Sequence, residues 1–320
     1  MRFLIYGAGV IGSIFAGRLA AAGQDVTVLA RGPRLEEIGK RGIILEGVFG
    51  GPKERIPVKT IAALDPGDIY DYILVPLQRQ QVAPVLPVLA ANRSSAVVFM
   101  VNTAAAYPEW ARAVGEERMM TGFPAASGTR VPGPEGTAVE YFIARGPARF
   151  FQTAAFGEYR SPTGRPASIT PRLERLVGAV RRAGIPAAAS KNMEAWQKTH
   201  VLVVLAFACA LYAFGCDARR LAGSREYVSL LLRALKEGFE ALERTGTPVT
   251  PGKLRVLKLP EGILVPVFRG LLRTRLAEAA MARHVAAARE EMGYLSRELE
   301  AVVERSGIET PALDRLELQL

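Results

Sequence analysis

The glycines nearest the N-terminus have the types and spacing to bind a pyrophosphate. Gly7-Ala8-Gly9-Val10-Ile11-Gly12 follows directly on the apolar run Phe3-Leu4-Ile5-Tyr6 and leads into Ile14, Phe15, Leu19 and Ala20 at helical spacing. In a strand–turn–helix of this kind the first glycine permits the tight turn and the second lets a pyrophosphate approach the backbone. The third lets the helix pack on the strand, so that the helix N-terminus faces the phosphates. A second apolar run at residues 25–30 stands at the distance a βαβ unit requires. The same segment also fits a secretory leader, with Arg2 as its basic end, residues 3–16 as its apolar stretch and Ala20-Ala21-Ala22 as a cleavage-like site. Three glycines at fingerprint spacing, and Arg18 inside the run, favour the nucleotide loop.

The end of the second strand selects between dinucleotides. An acidic residue there takes the ribose 2′-hydroxyl of NAD, and this chain has none; Leu29-Ala30-Arg31-Gly32-Pro33-Arg34 offers two guanidiniums. Arg31 stands 19 residues after Gly12, where the 2′-phosphate of NADP would lie, and Arg34 is close behind. Guanidinium suits bidentate phosphate contacts. The plainer reading is a pair of solvated loop arginines; the loop before them favours NADP.

Trp196-Gln197-Lys198 opens a helical region, and Glu290-Glu291-Met292 lies near its other end, followed by Gly307-Ile308-Glu309-Thr310-Pro311. With the N-terminal loop, Arg31, and Asn102 after the fifth strand, these residues resemble the ketopantoate reductase family over essentially the whole chain. The resemblance implies NADPH-dependent reduction of a branched 2-oxo acid to the 2-hydroxy acid. It implies Lys198 as general acid, placed to stabilise and protonate the carbonyl oxygen as hydride adds. It further implies that Glu291 holds the lysine, substrate and cofactor, and that Asn102 contacts cofactor and substrate. Taken alone, Lys198 reads as a solvated helix lysine.

The same resemblance exposes departures. The family's loop lysine, a cofactor contact, falls at Gln78, followed by Arg79. Its two substrate-binding asparagines fall at Leu202 and Ala206, which share one helix face with Lys198 at i, i+4, i+8 spacing. Its late-helix serine falls at about Ala279. A polar recess therefore becomes apolar. Losing several polar contacts, at about 1–3 kcal/mol each, would disfavour ketopantoate and direct the site to a more apolar ketone or imine. Arg79 or His284 could restore contacts. His284 is seven residues before Glu291, about 10 Å along a helix, and could bind a substrate carboxylate or share the acid role; a histidine packed between helices fits equally. His200, two residues from Lys198, points elsewhere and reads as structural. A non-catalytic NADP-binding sensor remains the reading from another class.

The elements that must position these residues follow from periodicity. Strand runs at 3–6, 26–30, 42–45, 72–76 and 96–101 alternate with helical patterns at 12–22 and 82–91, which is doubly wound α/β. Runs at 137–144 and 149–156 would extend that sheet with non-parallel strands, and a helix at 171–183 and an extended 185–189 complete the domain. From Asn192, a plausible N-cap, the pattern turns helical, with a first helix through 212 and amphipathic stretches at 225–245, 252–257 and 276–306. The expectation is a Rossmann-type NADP-binding domain at 1–189 and an all-helical substrate domain at 190–320, with substrate in the cleft between them.

At 320 residues there is ample core for two domains. Lys and Arg number 41 against 31 acidic residues, a net +10, but no basic run or basic–aromatic stripe points to nucleic acid. Residues 201–216 carry no charge yet fall short of the roughly 20 needed to span a bilayer, so a core helix is expected and no membrane partner. Cys209 and Cys216, the only cysteines, read as buried free thiols rather than a disulfide or metal pair, which suits a reducing cytoplasm. The expected partner is a small carbonyl substrate, with a homodimer possible and no metal.

Overall fold

The computed structural model describes residues 1–50, 52–105, 107–143, 153–160, 168–274, 277, 285 and 288–320. Backbone contacts divide the chain into two compact units: Met1–Val101 with Ala106–Met193, and Asn102–Ala105 with Glu194–Leu320.

The first unit runs β1 (Arg2–Tyr6), α1 (Val10–Ala21), β2 (Asp25–Leu29), α2 (Gly32–Arg41), β3 (Ile43–Gly47), β4 (Glu54–Ile56), β5 (Lys59–Ile61) and β6 (Tyr72–Val75). It continues with α3 (Leu86–Ala91), β7 (Val97–Phe99), α4 (Tyr107–Val114), β8 (Met119–Phe123), β9 (Ala126–Val131), β10 (Ala138–Ile143), β11 (Ala154–Glu158), α5 (Pro171–Arg182) and β12 (Ala187–Ala189). The main sheet has the order β12-β11-β8-β7-β6-β1-β2-β5. Its strands are parallel from β5 through β8, and β11 pairs antiparallel with β8. The β1 run is continuously apolar because both of its faces are buried. Phe3 and Ile5 pack with Ile14, Phe15 and Leu19 of α1, while Leu4 and Tyr6 face Phe99 and Trp110 on the other side.

Two expectations are corrected. The run at 137–144 does not extend the main sheet; β10 pairs parallel with β3 and antiparallel with β9, forming a second sheet of order β4-β3-β10-β9. Of the run at 149–156, residues 149–152 lie outside the described residues, and the rest enters β11 in the main sheet. The helix at 82–91 is shorter than its pattern: a 3-10 turn covers Ala83–Val85 and α3 begins only at Leu86, since Pro84 and Pro87 each remove a backbone donor. Arg118 then binds the ends of α3 and α4 together, donating to the carbonyls of Leu89, Ala90, Asn92, Ser94 and Val114. A cation is favourable at these carbonyl-rich helix ends.

In the second unit, α6 (Met193–Tyr212), α7 (Ala218–Gly223), α8 (Arg225–Arg244), α9 (Glu261–Leu272), α10 (Arg289–Ser306) and α11 (Pro311–Glu317) share one apolar core. Among the described residues α6 alone is long and apolar enough to cross a membrane, and 67% of its most apolar window is buried in this core. Helix ends are set by local chemistry: Ser224 accepts from the Tyr227 N–H to cap α8, and Gly307, at φ 66°, ends α10. The Glu237 carboxylate of α8 caps α11 from a distance, accepting from the N–H groups of Ala312 and Leu313 at 2.9 and 3.1 Å.

Candidate active site

The loop between β1 and α1 is shaped by its glycines. Gly7 has φ 118°, a conformation costly for any residue with a Cβ, and its N–H donates to the carbonyls of Ile5 and Leu29, both at 3.1 Å. A Cβ on Gly12 would lie 2.0 Å from the Gly7 carbonyl oxygen, so the helix can approach the turn only with glycine there. Gly9 has nothing within 4 Å of the place its Cβ would take. It is the N-cap of α1, no side chain caps that end, and no acidic residue stands in the first turn. The residues Gly7, Ala8, Gly9, Val10, Ile11 and Gly12 thus form an open backbone cradle at a helix N-terminus, and they fit a dinucleotide pyrophosphate.

Arg31 and Arg34 part company. Arg31 is the exposed N-cap of α2, in extended backbone, and its guanidinium lies beside Tyr6, whose phenol is raised by burial and drawn part of the way back by that charge. Arg34 turns inward. It donates to the Glu37 carboxylate at 2.7 Å, to the Ser13 hydroxyl at 3.2 Å and to the Thr137 carbonyl at 3.3 Å, with its side chain only 13% exposed. Of the two arginines expected to meet a phosphate, Arg34 already ties α2 to α1 and to the approach to β10, which leaves Arg31 as the exposed guanidinium.

Gln78 opens a 3-10 turn after β6 and forms a reciprocal cap with Gln81; its side-chain oxygen also accepts from Gln80 Nε2 at 3.2 Å. Neighbouring Leu77 would touch a Cβ on Gly7, so this loop borders the cradle. Arg79 packs its guanidinium 5.5 Å above the Trp110 ring and 3.8 Å from Glu109, engaged with α4.

In the second unit, Lys198 stands in the second turn of α6 with its Nζ 2.6 Å from Glu194 Oε1; the lysine side chain is 14% exposed and the glutamate 50%. Leu202 and Ala206 are fully buried in the helical core. A Cβ on Gly238 of α8 would lie within 2.6 Å of both Leu202 methyls, so Leu202 serves the packing of α6 on α8. The Leu202 side of α6, expected to line an apolar recess beside Lys198, meets α8 in this core. His200 stacks on Trp196, ring centroids 5.3 Å apart. Glu291 is buried in the first turn of α10, where negative charge complements the helix dipole. The Tyr212 phenol, pushed up to about 12 chiefly by burial, senses the charges of Arg289 and Glu291. His284 and Ala279 lie outside the described residues.

Asn102, half-buried, follows β7 and is succeeded by Thr103, whose hydroxyl donates to Glu298 Oε2 of α10 at 2.7 Å. The Ala104 N–H donates to the same oxygen at 2.8 Å. Sequence reasoning passed over Glu194 and Glu298. The first was legible as an i, i+4 partner of Lys198; the second, 195 residues from Thr103, carried no local signal.

A parallel sheet with a glycine turn at the end of β1, followed by a helical unit, defines a Rossmann-type fold with a helical C-terminal part. Residues 3–134 match the ketopantoate reductase PanE/ApbA family. The match covers the N-terminal part of the chain. The 2-dehydropantoate 2-reductase of Mesorhizobium japonicum is 34% identical over 105 residues, which are 32% of this chain and 32% of the relative; the chain thus aligns with about a third of that relative's length. Likeness of fold extends end to end. A 2-dehydropantoate 2-reductase from Geobacter metallireducens GS-15, 20% identical, covers 100% of this chain and 99% of its own at a TM-score of 0.78. D-mandelate dehydrogenase, solved in a ternary structure with NADH and anilino(oxo)acetate, is 14% identical and covers 100% of this chain and 96% of its own at 0.77.

Proposed function

We propose that the protein is an NADPH-dependent oxidoreductase of the ketopantoate reductase type, acting on a small 2-oxo acid or related carbonyl with Lys198 as general acid. The observation that carries this reading is the open cradle at Gly9 with the exposed Arg31 at the end of β2. When bound, NADPH supplies the hydride. The backbone N–H groups at the start of α1 hold the pyrophosphate, and Arg31 grips the 2′-phosphate with charge-assisted hydrogen bonds. Lys198 meets the oxygen on which charge grows and gives it a proton, while Glu194 keeps the ammonium oriented between turnovers. Glu291 and Asn102 complete the set by holding substrate and cofactor.

A second reading concerns the substrate. Leu202 and Ala206 stand where the resemblance puts two substrate-binding asparagines, and both are buried in the helical core; the loss of those amides, with the fold shared by D-mandelate dehydrogenase, favours a more apolar carbonyl than ketopantoate. A buried Cys209 thiol, pushed up to about 12 by burial, and an unpaired Cys216 favour a reducing cytoplasm. The test is NADPH absorbance with a panel of 2-oxo acids, ketones and imines. Steady consumption with a member of the panel is expected. Nucleotide binding without consumption by any of them would leave the sensor reading in its place.

A further inference from the structure

The segment after Asn102 has no helix or strand of its own to hold it. Thr103 and Ala104 are nevertheless fully buried, and their polar groups converge on one atom. Glu298 Oε2 accepts from the Thr103 hydroxyl at 2.7 Å and from the Ala104 N–H at 2.8 Å, and Thr103 Oγ1 in turn accepts from the Ala105 N–H at 3.2 Å. Three consecutive residues are thereby immobilised by one carboxylate from α10. Hydrogen bonds to an ionised acceptor are short and strong, and a buried donor that loses its acceptor bears the full desolvation penalty. Glu298 lies seven residues, two helical turns, after Glu291, so both carboxylates rise from the same stripe of α10.

We propose that Glu298 is a positioning residue for Asn102: through Thr103 and Ala104 it sets the backbone from which the Asn102 amide is presented, in register with Glu291 on the same helix. The inference rests on the reading of Asn102 as a cofactor- and substrate-binding residue. On this reading Glu298 acts on the site through this loop. Its loss therefore removes what Asn102 contributes to binding and turnover, while a glutamine, whose carbonyl accepts both hydrogen bonds, restores it.

The experiment is a double-mutant cycle on the full chain with two readouts, the Kd of NADPH from quenching of its fluorescence and kcat/KM for the best 2-oxo acid. Glu298→Ala and Asn102→Ala are each expected to weaken at least one readout by about tenfold, and the double variant to be no worse than either single. Glu298→Gln is expected to match the native protein in both. If Glu298→Ala does not fold, Thr103→Val takes its place in the cycle, since it removes the hydroxyl donor and keeps the shape. Effects that multiply to about a hundredfold in the double variant, or a Glu298→Gln as impaired as Glu298→Ala, overturn the inference while leaving the site reading intact. An Asn102→Ala with native values in both readouts overturns the site reading, and the inference with it.

Discussion

Lys198 and Glu194 form an ion pair of 2.6 Å one turn apart on α6, with the lysine largely enclosed and the glutamate half open to solvent. The order, glutamate N-terminal to lysine, is the better one on a helix, yet such a pair contributes only about 0.3–0.5 kcal/mol to folding. Loss of the lysine is thus separable from loss of the fold. Lys198→Ala is expected to lower kcat by about 10²–10⁴-fold with an unchanged thermal midpoint and unchanged NADPH binding. Steady-state kinetics beside a melting curve check this, and retention of more than about a tenth of the native rate would assign the acid role to another residue.

The two arginines after β2 should respond differently. Arg31→Ala is expected to weaken NADPH binding by about 1.5–3 kcal/mol, the range for a charge-assisted contact, and to leave NADH nearly unchanged. Arg34→Ala should instead lower stability, because its guanidinium serves Glu37, Ser13 and Thr137. Titrations of both nucleotides with both variants decide the matter. A native protein that binds the two nucleotides equally would refute the role of Arg31.

Leu202 and Gly238 should behave as a matched pair. Leu202→Ala is expected to cost about 2–5 kcal/mol, the range for an emptied core site. Gly238→Ala alone should also destabilise, because its new methyl meets the Leu202 methyls. Combined with Leu202→Ala it fills the vacated space and gains up to about 1 kcal/mol of helix propensity. Urea unfolding of the four proteins measures the coupling, and purely additive losses would contradict it. Leu202→Asn with Ala206→Asn should destabilise by roughly 1–3 kcal/mol for each unpaired amide.

Stability should fall as pH rises through neutrality. Burial lifts the Glu317 carboxyl to about 7, with Glu300 and Asp314 adding to the rise and a hydrogen bond from Ser296 opposing it; burial raises Glu237 as well. A folded-state value above the unfolded one means that the folded protein holds the extra proton. The contribution is complete below the ordinary carboxylate range and is lost as pH climbs through about 7. For a partly screened group it amounts to roughly 1–2 kcal/mol. Denaturant midpoints from pH 4 to 8 should show the decline, and Glu317→Gln should flatten it; an unchanged slope in that variant would exclude Glu317 as its source.

Much of this protein was legible before any coordinates. Gly7 and Gly12 could be read because a tight turn and a close helix approach leave glycine as the residue without penalty, a constraint confined to six residues. The β1 run announced a strand buried on both faces, and α6 a core helix, because side-chain periodicity is itself a local quantity. The ion pair of Glu194 with Lys198 is local in the same way, being set by their i, i+4 spacing.

What tertiary structure decided lies beyond one helical turn or one strand. A strand pattern records that a segment will pair but not with which partner, so only the fold sent β3 and β10 to a second sheet. Likewise two arginines three residues apart look alike in sequence; Arg34 was taken inward by Ser13 and Thr137, which the fold delivers from 21 and 103 residues away. The enclosure of Leu202 by Gly238, and the hold of Glu298 on Thr103, have the same origin. Propensity and periodicity act between neighbours in the chain, whereas burial and hydrogen-bond pairing act between neighbours in space, and only folding makes the second set from the first.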